Sequence, residues 1–465
     1  MQTDRFKKYD NDVREAVLRF EKMQRTGNMG YIDVSDMEMV IDFYFDSDDL
    51  EQLDSAIRYG EQLYPSSNVI KLRRAHYCCV MDQPNKALDM LKEIDKLEPG
   101  NTDVMYALGI VYSQLDQPQK SIQYFQLASA DCCELGMVYG NIGDEYCKLE
   151  NFPMAIKYFK KAINADPEEE RSQYNLLSVL EDTGATDEAV SYFLAKVQDH
   201  PYNLNMWICL GAAYSELGLL EKAIDAFEYA LIIDKTHFQT YVLLSDCYRK
   251  SNNPAKAVSA LHESLDYAED RSWVYYSMGM IYGGAGNFAS AIVYLKKAAD
   301  EDPYFGDAWW ALGSCYAEQG DYHSAIEMTE RAISINPRSS AYMMQAASLY
   351  SKLGNNEVAD NLFQCLLHID GEQDENHLVY ADFLMDCGRY NDAIEVLNKG
   401  IINASNQASF NLRLAVCYFK TGRRNFLYNV LRSCIDDTDC DPLEMMELCP
   451  EMFNDPEVAA IIKSS

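Results

Sequence analysis

Positive charge is scarce in this sequence: 40 Lys and Arg stand against 73 Asp and Glu across 465 residues, a formal charge of −33. A surface that acidic repels phosphate backbones and anionic headgroups, which argues against nucleic acid and membranes as partners. Long apolar runs are missing too. The opening MQTDRFKKYDNDVREAVLRF has no uninterrupted apolar stretch of signal-peptide length, and no later segment reaches the roughly eighteen apolar residues of a membrane span. A cytoplasmic protein is the expectation. The fourteen cysteines include no CxxC pair, so reduced, mostly buried thiols are expected rather than disulfides. The adjacent pairs Cys78-Cys79 and Cys132-Cys133 would diverge by about 100° on a helix, which suits packing and neither a metal site nor an internal disulfide.

Signatures of catalysis are also absent. There is no P-loop, dinucleotide glycine fingerprint, GxSxG elbow or HExxH helix. Gly279, Gly283, Gly284 and Gly286 match neither glycine motif. His76, His200, His237, His262, His323, His368 and His377 are scattered without ligand spacing. The expectation is no catalytic residue, no metal, no cofactor and no enzyme.

What the sequence has is a period of 34 residues. With Val34 as position 1, repeats begin at 34, 68, 102, 136, 170, 204, 238, 272, 306, 340, 374 and 408, with no insertion between residues 34 and 441. Position 20 is alanine in nine repeats, among them Ala155, Ala223 and Ala325, where a small residue lets two helices approach. Position 11 is tyrosine in nine, among them Tyr146, Tyr214 and Tyr316, suited to filling the space between hairpins. Position 8 is small, as in Gly143 and Gly313. Position 15 is often glycine, as in Gly184 and Gly320, able to close a first helix in the left-handed conformation. Proline at position 32, as in Pro167 and Pro303, ends the second helix in half the repeats. The predicted unit is helix, turn, helix, turn, and the fold class is all-α.

At Tyr139, Ile142, Gly143, Tyr146, Phe152, Ala155, Phe159, Ala162 and Pro167, and again at Trp309, Leu312, Gly313, Tyr316, Tyr322, Ala325, Ala332 and Pro337, the chain resembles the tetratricopeptide repeat family. The resemblance covers about nine tenths of the chain. Ile41 at position 8 of the first repeat, Cys78 at position 11 of the second, Leu384 at position 11 of the eleventh and Leu427 at position 20 of the twelfth depart from the pattern. The expected organisation is an N-terminal capping helix and linker over 1–33, twelve repeats over 34–441 and C-terminal capping helices over 442–465, because stacked repeats need covered ends. Val13, Ala16, Val17, Phe20 and Met23 form one face of the first cap, with Asn11 or Asp12 as N-cap. Asp455-Pro456 opens the last helix. This organisation leaves no room for an attached catalytic domain.

The resemblance implies a right-handed superhelical α-solenoid whose first helices line a concave groove that holds partner peptides. It places positions 2, 5, 9, 12 and 13 in the groove. Those positions carry fourteen acids, including Asp144, Asp182 and Asp246, against six bases, so a basic or apolar ligand is expected. The lysine and asparagine by which some family members clamp a chaperone's C-terminal carboxylate are missing at positions 5 and 9. That stripe is aromatic or apolar instead, with Tyr174 in the fifth repeat and Trp273, Tyr276, Met280, Trp310 and Met344 in the eighth to tenth, beside Gly283 and Gly284. These residues are the candidate partner-binding set; the competing reading packs them between neighbouring first helices. The expected function is a scaffold or adaptor that captures an extended peptide or helix. A self-assembling structural oligomer is the alternative, and a peptide-sensing regulator or a groove-based enzyme stands behind it.

Overall fold

Each 34-residue period forms two packed helices because its turn can be made in only one way. Position 15 adopts the left-handed conformation in every repeat, with φ between 53° and 79°, whether it is Asp48, Asp82, Asp116, Glu150 and Asn252 or Gly184, Gly218, Gly286, Gly320, Gly354, Gly388 and Gly422. The next amide then reaches back to the position 11 carbonyl, as Asn151 does to Tyr146, Asn287 to Tyr282 and Arg423 to Tyr418, each at 2.9 Å. Free carbonyls at the first helix's end are thereby satisfied. Second helices start on side-chain caps such as Asn151, Asn253, Asn287 and Asp321, or on Pro84, Pro118 and Pro254 at the first turn.

The computed structural model describes residues 6, 9–27, 30–130, 132, 134–402, 404, 407–436 and 449–463. Among them it is all helix and turn, an all-α solenoid of stacked hairpins. First helices begin within a residue of position 1, from Val34–Asp46 through Leu135–Lys148 and Arg271–Gly284 to Gln407–Lys420. All nine position 20 alanines are fully buried. Position 8 is small because position 24 fills it: a Cβ on Gly143 would lie 2.5 Å from the Phe159 ring. The third repeat has Ser121 at position 20, and its hydroxyl donates to the Gly109 carbonyl at 2.8 Å.

The chain forms two compact units, Met1–Lys235 and Thr236–Ser465. In the first, the helix Asn11–Thr26 buries Ala16, Val17 and Phe20 against Ile32, Met37 and Val40. Its N-cap is Asp10 rather than Asn11 or Asp12, which are already helical, and Gly27 closes it at φ 64°. In the second unit, Leu412 and Val416 belong to one buried cluster with Cys449, Met452 and Val458. Asp455 caps the helix Pro456–Lys463 by accepting the Glu457 and Val458 amides at 3.0 and 3.3 Å. The first part of the expected C-terminal cap, through residue 448, lies outside the described residues.

Candidate protein-interaction surface

Helical spacing puts Trp273, Tyr276 and Met280 on one face of Arg271–Gly284. Trp273 and Met280 are 37% and 43% exposed, large for apolar side chains. Together with Asp246 and Arg249 of the helix Phe238–Lys250 they line a cleft of about 340 Å³, whose apolar lining continues through Val242, Leu261 and Ile281. Asp246 is held by Arg249 at 2.5 Å and Lys250 at 3.0 Å. Burial raises its carboxyl pKa, but the two cations outweigh burial and hold it below the usual carboxylate value. The cleft therefore pairs an apolar stripe with a fixed carboxylate.

Tyr276 lines the same cleft, and the remaining candidates stand elsewhere. Tyr276 is half-buried, its ring 5.0 Å from Phe305. Trp310 is half-buried and stacks on Tyr342 at 6.3 Å, and the Tyr342 hydroxyl donates to Asp307 at 2.5 Å. The Trp310 indole N–H is buried without an acceptor among the described residues. Met344 packs on the buried cluster of the last hairpins. Neither Trp310 nor Met344 lines the cleft.

In the first unit Tyr174 is 38% exposed, and its hydroxyl donates to Asn205 at 2.9 Å. Burial, then Cys209 and Glu170, pushes its pKa up to about 12. Asp144 is half-buried, accepting from Asn175 at 2.7 Å and paired with Arg171 at 3.2 Å. Asp182 is exposed beside Glu181, whose carboxyl is raised by burial, then by Glu216 and Asp182 itself.

A polar ladder between consecutive repeats escaped the sequence reading. Position 6 of one repeat reaches position 9 of the repeat before it: Arg73 to Asp42 at 2.9 Å, Asn175 to Asp144 at 2.7 Å, Gln345 to Ser314 at 2.6 Å and Arg413 to Asp382 at 2.8 Å. Asp42, Asp144 and Asp382, counted above among the groove acids, are thus spent on holding the next hairpin. A donor following an acceptor by 31 residues is the signal that would have found them. Among the described residues no group of three His, Cys, Asp or Glu side chains is placed to hold a metal ion.

Residues 102–129, 141–203 and 284–348 each match a family model described as tetratricopeptide repeat. The chain contains tetratricopeptide repeats. All three matched segments of this repeat protein avoid its first two and last two hairpins, the ones that depart most from the pattern. Over 201 residues, 42% of the chain, it is 23% identical to the anaphase-promoting complex subunit CDC16 of Saccharomyces cerevisiae, of whose length the match spans 24%. It is similar in fold to the structure of the APC/C hetero-tetramer Cut9–Hcn1, at 15% identity and a TM-score of 0.35, covering 88% of this chain and 96% of that one. A structure of MamA is similar at 21% identity and a TM-score of 0.29, covering 42% of this chain and 95% of that one. No helix among the described residues is long and apolar enough to cross a membrane.

Proposed function

We propose that this tetratricopeptide repeat protein is a cytoplasmic protein-interaction scaffold that holds an extended peptide or a helix against the first helices of its repeats. The contact centres on Trp273, Tyr276, Met280 and Asp246. The observation that carries this reading is the exposure of Trp273 and Met280 over one cleft, on a face where neighbouring aromatics are packed away. An exposed tryptophan and methionine gain most from a partner that removes them from water. Asp246 then selects a basic or neutral segment over an acidic one. The partial similarity to an anaphase-promoting complex subunit supports protein partners without naming one.

A photo-crosslinking amino acid at Met280, challenged with a random peptide library, tests the reading. Peptides are expected to cross-link there and not at a matched probe replacing Lys296 on a second helix. Selected peptides should bind the Trp273→Ala protein about 10- to 100-fold more weakly, the loss expected of a central aromatic anchor. Cross-linking confined to the Lys296 probe would move the binding face off the first helices.

A further inference from the structure

The seventh repeat ends differently from its neighbours. Its second helix, Pro254–Ser264, has 11 residues where the second helices of the sixth and eighth, Leu220–Ile233 and Phe288–Glu301, have 14. At position 32, where six repeats carry proline, it carries Glu269. The chain from Leu265 to Asp270 becomes an irregular connection that brings Tyr267, Glu269 and Asp270 to the start of the next first helix. With Phe238 and Trp273 these residues line a second cleft, of about 360 Å³.

Three aromatic rings and two carboxylates face this one space. Phe238 and Trp273 meet edge to face at 6.1 Å and 69°. Asp270 is committed to its own helix, accepting the Trp273 amide at 3.1 Å and the Ser272 hydroxyl at 2.6 Å, so it answers the positive helix N-terminus. Glu269 is exposed and makes no ion pair among the described residues, which leaves its charge for a guest. The nearest base in sequence, Arg271, lines a separate cleft with Tyr241, Tyr267 and Tyr275. Aromatic faces attract cations, and a carboxylate beside them adds a hydrogen-bond acceptor. A planar guanidinium can stack on a ring and donate to a carboxylate at once, which an ammonium does less well and a neutral group hardly at all.

We propose that Phe238, Tyr267, Trp273 and Glu269 form a pocket for a cationic side chain, preferably arginine, of a peptide whose neighbouring residues lie along the Trp273–Met280 cleft. This rests on the groove reading above, because Trp273 lines both clefts. The occupant is set by charge complementarity: an acidic rim on aromatic walls in a chain of charge −33.

Tryptophan fluorescence of the full chain, titrated with N-acetylated tripeptide amides Ala-Arg-Ala, Ala-Lys-Ala and Ala-citrulline-Ala, tests the assignment. The arginine peptide should quench saturably, the lysine peptide bind about threefold more weakly, and the citrulline peptide, equal in shape but uncharged, show no saturation. Glu269→Gln, at an exposed residue, should weaken the arginine peptide about five- to tenfold with unchanged helicity. Trp273→Phe should abolish most of the quenching. Equal binding of the citrulline peptide, or an unchanged affinity in Glu269→Gln, overturns the pocket. Cross-linking at Met280 separates the two claims. Library peptides captured there with no enrichment in arginine sink the pocket and leave the groove, whereas no capture at Met280 alongside a normal arginine titration sinks the groove reading and leaves the pocket.

Discussion

Trp310 shows how a single residue can carry two opposite readings. Its place in the repeat puts it beside the groove, yet its ring stacks on Tyr342 and its indole N–H is buried with no acceptor among the described residues. Trp310→Ala should therefore cost about 3 to 5 kcal/mol of stability through lost packing. Trp310→Phe keeps an aromatic ring and deletes the orphaned donor, so it should lie within about 1 kcal/mol of the wild type. Urea unfolding of the two variants checks this, and equal losses would mean that the N–H has a partner after all. Asp246 makes a second residue-scale case. Its folded carboxyl sits below the ordinary 3.8 through Arg249 and Lys250, which overcome the opposing effect of burial. The unfolded chain holds that proton more tightly, so the stabilisation is complete above about pH 4 and drains away as pH falls through the depressed folded value. The Tm difference between wild type and Asp246→Asn should accordingly be visible at pH 7 and shrink towards pH 3.

The hairpin is the element whose shape the sequence states most clearly. Its period, the alanine at position 20 and the small residue at position 8 were legible because close packing leaves no freedom there. The left-handed turn was read only where glycine marks it. In five repeats Asp, Glu or Asn adopts the same angle, and nothing in Glu150 itself announces φ 55°. Left-handed geometry strains most side chains by about 1 to 2 kcal/mol but is tolerated by asparagine. Glu150→Gly should therefore stabilise the protein by about 0.5 to 1 kcal/mol once the added freedom of the unfolded chain is deducted, whereas Asn252→Gly should change it by only a few tenths. Denaturant midpoints of the two variants decide it, and equal gains would show that asparagine has no advantage at this angle. The site was harder to read than the hairpin. Whether Trp273 faces water and Trp310 its neighbours depends on Phe305, Tyr342 and the short second helix of the seventh repeat, none of which a common groove frame contains.

At the scale of the whole molecule the charge of −33 is the dominant fact. Ion pairs such as Arg74 with Asp54 and Glu61, and the ladder pairs Arg73–Asp42 and Arg413–Asp382, relieve it locally. With 73 acids to 40 bases, an excess of 33 carboxylates would remain even if every base met one acid. Self-repulsion of this kind is screened by salt over about 10 Å at 0.1 M. Raising sodium chloride from about 0.02 to about 0.5 M should therefore raise the Tm by several degrees, against the weakening that dominance of the surface ion pairs would give. Differential scanning calorimetry across that range distinguishes the two.

The recurring left-handed turn has a consequence for how such a chain can change its length. Position 15 takes one backbone angle in every hairpin, and the amide after it always returns to the same carbonyl. Two copies of the gene misaligned by one period and recombined there would rejoin matching halves of one hairpin, creating no new joint. The array can gain or shed 34 residues at a time without inventing a connection, and the seventh repeat, with its acidic bend, is a part that resists such exchange.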